Sequence, residues 1–290
     1  MVKGDARAES RVVLLDNGSV NPDSVLAGRK LAEALSNRIG EPVDLVSVAH
    51  SERIPAEDLD GISARVWDAY LAAMAESGVG EVRVAPLFFG PSYALRKAKK
   101  LAAAVETRES HLITRWADCL VSEDEEEGIL SKILSGNINQ VLNTIDRGNP
   151  PPRVLLVDHG SPFPEVTERR NMAAGRLARV LGSRVEGVVA CSMERREGEV
   201  YDFNEPTLER ALEGARKEGV KRVILSYLFL FPGRHAGTGG DIDQICQSHG
   251  WQESELLKTE LIGFSPRLPE LLQARLVALE EGYQQRAAAH

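Results

Sequence analysis

Val154–Ser161 reads VLLVDHGS, and Val12–Ser19 reads VVLLDNGS. Each is an apolar run of four, closed by an aspartate, one variable residue and a Gly-Ser pair. A run this short and wholly apolar fits a strand buried on both faces in a parallel sheet, with the glycine opening a turn. The two copies lie 142 residues apart. The same spacing pairs Glu52-Arg53 with Glu194-Arg195. A spacing of 141 pairs Gly78-Val79 with Gly219-Val220, and Pro86–Phe89 (PLFF) with Tyr227–Leu230 (YLFL). Four blocks in one order mark an internal duplication.

Outward from these blocks, both repeats follow one plan. The strands are expected at Arg11–Leu15, Val43–Val48, Glu81–Phe89 and Leu112–Ala117, then at Arg153–Val157, Val185–Ala190, Arg222–Phe231 and Leu256–Ile262. Helices are expected over Ser24–Asn37, Ile62–Glu76, Pro164–Leu181 and Pro206–Lys217, with Gly78 and Gly219 as stop signals. Leu130, Ile133, Leu134, Ile138, Val141, Leu142 and Ile145 form one apolar stripe. Leu268, Leu271, Leu272, Leu276, Leu279 and Tyr283 repeat it, so each repeat closes on a core-facing helix. Strands alternating with helices give the α/β class: two tandem domains, each a small parallel four-stranded sheet flanked by helices. Asn149-Pro150-Pro151-Pro152 cannot continue a helix, which sets the domains at 1–149 and 150–290. The acidic run Glu123–Glu127 reads as a solvated helix start.

The chain has 290 residues, 43% hydrophobic and 27% charged, an ordinary globular balance. Its net charge of −8 disfavours non-specific nucleic-acid binding. No apolar run approaches the roughly 20 residues of a membrane span, and the polar start MVKGDARAES has no signal-peptide core. A cytoplasmic location is therefore expected. Cys119, Cys191 and Cys246 show no metal-binding spacing and read as reduced thiols.

Ligands of parallel sheets bind at the carboxyl ends of the strands. His159 directly follows the first strand of the second repeat, and His235 follows its third strand, in FLFPGRHAGTGGD. Two imidazoles with an open coordination sphere suit Fe2+, Co2+ or Ni2+. The first repeat has Asn17 and, by count, Ala94 at these places, so both histidines are missing there together. The segment after the second strand adds Asp202 and Glu205, as metal ligands or proton acceptors; Glu205 before Pro206 equally suits a helix cap.

DHGS, the Glu205-Pro206 block, LFLFPGRH and the Asp241-Ile242 pair together resemble the sirohydrochlorin chelatases, the cobalt- and iron-chelatases of cobalamin and siroheme synthesis. The likeness covers most of residues 153–273 and extends more weakly over the first repeat. It implies that His159 and His235 bind the incoming metal, a substrate, and that no organic cofactor is used. It places the family's acidic residue on Asp202, an aspartate where glutamate is expected. Insertion displaces two pyrrole protons, which His235, Asp202 or Glu205 would accept. Ser161, Arg195, Arg196 and Arg234, with backbone N–H groups of Gly237 and Gly239, would bind the carboxylates of a tetrapyrrole. A monomer is possible, since two fused repeats supply both walls of a cleft. The alternative is a tetrapyrrole or metal carrier that keeps the cleft without turnover.

Overall fold

The structure, a computed structural model, describes residues 9–123, 128–145 and 150–288. The acidic run beyond Glu123 and Asn149 of the linker lie outside the described residues. The first repeat runs β1 (Ser10–Asp16), α1 (Pro22–Ile39), β2 (Val43–Ser47), α2 (Trp67–Glu76), β3 (Glu81–Pro86), α3 (Tyr93–Arg108), β4 (Ile113–Trp116) and α4 (Ile129–Leu142). The second runs β5 (Arg153–Asp158), α5 (Pro164–Leu181), β6 (Gly187–Ser192), α6 (Leu208–Lys217), β7 (Val223–Tyr227), α7 (Asp241–Ser248), β8 (Leu256–Lys258) and α8 (Leu268–Ala288). Both sheets are parallel, ordered β2-β1-β3-β4 and β6-β5-β7-β8.

The central strands are buried on both faces. Val12–Leu15 and Val154–Val157 have almost no exposed surface, as their unbroken apolar runs require. On α6, Leu208, Ala211, Leu212 and Ala215 recur at helical spacing and bury one face against Leu155, Val157 and Leu225. On α1, Asn21 caps the start through its side chain, accepting from the Asp23 N–H at 3.0 Å, with Pro22 in the first turn.

The expected helices over Ile62–Glu76 and Pro206–Lys217 begin later, at Trp67 and Leu208. Val66 and Thr207 are extended there, forming isolated parallel bridges to Ser47 and Ser192. Helix α7, between the third and fourth strands of the second repeat, has no counterpart among the expected elements, whereas Tyr93, Arg96, Lys97, Lys99 and Lys100, which read as a solvated helix face, lie on α3. The equivalence of the repeats also slips. Asp16 lies opposite Ser47 and Asp158 opposite Ser192, a spacing of 145 at the second strand. The second repeat has three more residues between its first two strands and four fewer before its next helix. Glu194 therefore corresponds to Ala49, and the pairing of Glu52-Arg53 with Glu194-Arg195 does not hold in three dimensions.

The residues pack into two compact units. Of the described residues, one unit takes those up to Phe88, Tyr93–Leu120 and those from Leu272 on; the other takes Phe89–Ser92 and those between Val121 and Leu271. Helix α4, first-repeat by sequence, thus packs in the second unit, beside α5. Most of α8 packs in the first unit. There Arg275, nearly buried, donates from Nε and Nη2 to the carbonyls of Cys119 and Leu120, each at 3.0 Å. The Arg115 guanidinium lies 3.4 Å over the Tyr283 ring. The 149/150 boundary marks the duplicated sequence; the compact units cross it. Among the described residues no helix is long and apolar enough to cross a membrane. Among the described residues the three cysteines are buried and none forms a disulfide.

Candidate metal centre

Strand β5 sits between β6 and β7, so the order reverses there and opens a crevice at the carboxyl ends. His159 is the first residue past β5. Beyond β7, Leu228 donates one more bond to the Val157 carbonyl at 2.8 Å before the chain loops out to His235. The two imidazole rings meet edge to face, centroids 4.6 Å apart and planes at 72°. The expected histidine pair is thus formed by the fold.

A third group stands beside it. The Glu194 N–H donates to the His159 carbonyl at 3.3 Å, after Met193 has donated to Asp158 at 2.7 Å. Glu194 Oε1 lies 3.6 Å from His159 Nε2. This approach is set by backbone. Gly160 has φ 90°, and a Cβ there would stand 2.0 Å from the Glu194 carbonyl oxygen, so only glycine fits. The His159 Nδ1 faces the Gly160 carbonyl at 3.1 Å. In the sequence Glu194 is hidden by its apparent match to Glu52; its place two residues past β6 is the signal for it. Among the described residues no three His, Cys, Asp or Glu side chains yet converge on one metal position. The site is a nitrogen pair with a carboxylate at its edge.

Asp202 and Glu205 are engaged elsewhere. Arg195 Nη1 forms ion pairs with both, at 3.1 Å to Glu205. Glu205 also pairs with Arg210 at 2.7 Å and accepts the Thr207 N–H at 3.0 Å, but the cap of α6 is Thr207, whose hydroxyl accepts the Arg210 N–H. Arg196 lies 5.8 Å over the Tyr201 ring. Arg234 is 83% exposed, its Nε 3.5 Å from Asp241. The Ser161 hydroxyl accepts the Phe163 N–H at 3.1 Å. The Gly239 N–H is taken by Asp243 at 2.8 Å, and the Gly237 carbonyl by the Gly240 N–H at 2.9 Å.

Beneath the site runs a buried polar network. Arg170, 1% exposed, meets Asp158 Oδ1 at 3.4 Å, the Asn204 carbonyl at 3.3 Å and the Ser192 hydroxyl. Asn204 accepts the Ser161 N–H at 3.0 Å and donates to the Ser161 carbonyl at 2.8 Å, tying the His159 loop to the segment before α6. Burial pushes the Asp158 carboxyl up, against the downward pull of Arg170, Ser192 and the Gly160 N–H. The first repeat lacks this support. Gly28, closely covered by Leu45, stands in α1 where Arg170 stands in α5. Asp16 there is pushed up to about 6 by burial, opposed by Ser47 and the Gly18 N–H, and its Oδ1 is sealed without a partner. Asn17 and Ala49 replace His159 and Glu194, and residue 94 sits in the first turn of α3 rather than on a loop.

Residues 153–279 match the CbiX family model. Three solved structures share the fold over nearly the whole chain. SirB from Bacillus subtilis with Fe3+ has a TM-score of 0.69 at 15% identity, covering 94% of this chain and 98% of its own. The sirohydrochlorin chelatase SirB from Bacillus subtilis subspecies spizizenii, in complex with cobalt, has a TM-score of 0.68 at 14% identity, covering 96% and 97%. CbiX, the terminal enzyme for biosynthesis of siroheme in denitrifying bacteria, has a TM-score of 0.61 at 17% identity, covering 92% and 98%. No curated protein matches the sequence.

Proposed function

We propose that the chain is a chelatase of the sirohydrochlorin type, a reading supported by the match of residues 153–279 to the CbiX model, and that it inserts a divalent metal, Co2+ or Fe2+, into a sirohydrochlorin-type tetrapyrrole. The observation that carries the reading is the contact of His159 with His235 at the switch point of the second sheet. Two neutral imidazoles bind a first-row divalent ion through nitrogen while leaving most of its coordination sphere open. A metal that must be handed on is better served by such a site than by a closed cage.

Insertion exchanges M2+ for two pyrrole N–H protons, so bases must lie at hand. Glu194, at the edge of the pair, is better placed for this than Asp202 or Glu205, whose charges Arg195 offsets. An imidazole released by the departing metal can take the second proton. Arg234 and Arg196 would bind the macrocycle's carboxylates, with Ser161 and the Gly237–Gly239 stretch lining the approach. Arg195 acts in this scheme mainly by holding Asp202 and Glu205.

The test is the absorbance change of sirohydrochlorin mixed with Co2+ or Fe2+. The wild type is expected to exceed the uncatalysed rate, and His159→Ala and His235→Ala each to lose on the order of 100-fold or more. A wild-type rate equal to buffer, with pigment bound, would leave the protein a carrier.

A further inference from the structure

We propose that Asp241 is a positioning residue for His235, fixing the imidazole as its Nδ1–H tautomer so that Nε2 is the nitrogen offered to metal. The proposal rests on the chelatase reading above. Asp241 Oδ2 lies 2.7 Å from His235 Nδ1. An ionised carboxylate only accepts hydrogen bonds, so the ring nitrogen must donate, and the lone pair is left on Nε2. A carboxylate behind a ligating imidazole also raises the basicity of the opposite nitrogen.

The pairing is built into the backbone. The Asp241 N–H donates to the Arg234 carbonyl at 3.1 Å, and the Ile242 N–H to the His235 carbonyl at 3.2 Å. Ile242, 1% exposed, anchors this junction in the core. At Gly240 a Cβ would stand 2.7 Å from the Arg234 carbonyl oxygen and 2.9 Å from that of His235, so the loop is wound onto its own carbonyls. Residues 234–241 therefore close on themselves and return the carboxylate to the ring that left β7. Arg234 Nε, 3.5 Å from the same oxygen, is the other charged group facing it. His159 reaches the same state by another route, its Nδ1 facing the Gly160 carbonyl. Both rings then present Nε2, one held by a carbonyl and one by a carboxylate.

The experiment uses the full chain with 15N-labelled histidine and no tetrapyrrole. Long-range 1H–15N spectra report the tautomer of His235, assigned by its loss in His235→Ala, and titration with Co2+ alone reports metal affinity. The wild-type ring is expected as Nδ1–H. Asp241→Ala should shift it towards Nε2–H and weaken Co2+ binding roughly 10- to 100-fold. Asp241→Asn keeps an acceptor oxygen, so it should hold the tautomer and lose less affinity; it carries the test if the alanine variant does not fold. A wild-type Nε2–H ring overturns the proposal, as does Asp241→Ala with tautomer or affinity unchanged, or Asp241→Asn losing the Nδ1–H form. Failure of the parent reading looks different: Co2+ binding would survive His159→Ala and His235→Ala.

Discussion

Replacing Glu194 with glutamine removes a carboxylate from the edge of the histidine pair but keeps its length and its backbone bond to His159. The expected result is an insertion rate lowered on the order of 100-fold with the melting temperature unchanged, as befits loss of a proton acceptor. Asp202→Asn, which breaks only a pairing with Arg195, should lower it less. Asp16 invites a different measurement. Its folded carboxyl keeps a proton up to about pH 6, while the unfolded one releases it near 3.8. Between these values the native state binds more protons, so its stability falls as pH rises and stays lower above 6. Asp16→Asn is expected to stabilise the protein by about 1–3 kcal/mol at pH 7–8 and hardly at pH 4, read from melting curves across pH. His159 and His235 were legible from their places after strands. Glu194 was not, because a three-residue slip hides its true counterpart. Arg170 was not either, since an arginine beside Arg169 on a charged helix looks solvated until its partners Asp158 and Ser192 are seen.

The strands of both repeats were readable to within a few residues where wholly apolar runs demand burial on two faces. Helix starts were less so. Bridges to Ser47 and Ser192 hold Val66 and Thr207 extended, and a pairing between segments distant in sequence leaves no local mark. Helix α7 has eight residues and only Ile242 and Cys246 buried, too little pattern to announce itself. Helix α6 is the opposite case, with its inner face fully committed. Leu212→Ala, at a side chain without exposed surface, should cost about 2–5 kcal/mol, seen as a lower urea midpoint at unchanged slope.

Across the whole molecule, duplication in sequence and division in space do not coincide. The repeat boundary was plain from the prolines at 150–152, but which unit each last helix completes depends on tertiary packing alone. Residues 1–149 made as a fragment would lack α8 and carry α4 with nothing of its own unit to cover Leu130, Ile133 and Leu134. The expected outcome is that neither 1–149 nor 150–290 alone shows a cooperative thermal transition, whereas the two mixed recover one. A fragment with a sharp transition of its own would refute this.

The same arrangement bears on how the protein is made. The first unit has its sheet once Trp116 has left the ribosome, yet the part of α8 that closes it begins at Leu272, roughly 150 residues later. At about 5–20 residues per second, that gap is on the order of ten seconds or more. Through that interval the surface that Leu272 and Leu276 will cover has no cover of its own, while the second unit gains α4 ahead of its own strands. Vectorial synthesis thus favours the second unit finishing first, and the repeat without the histidine pair is the last part of the chain to become whole.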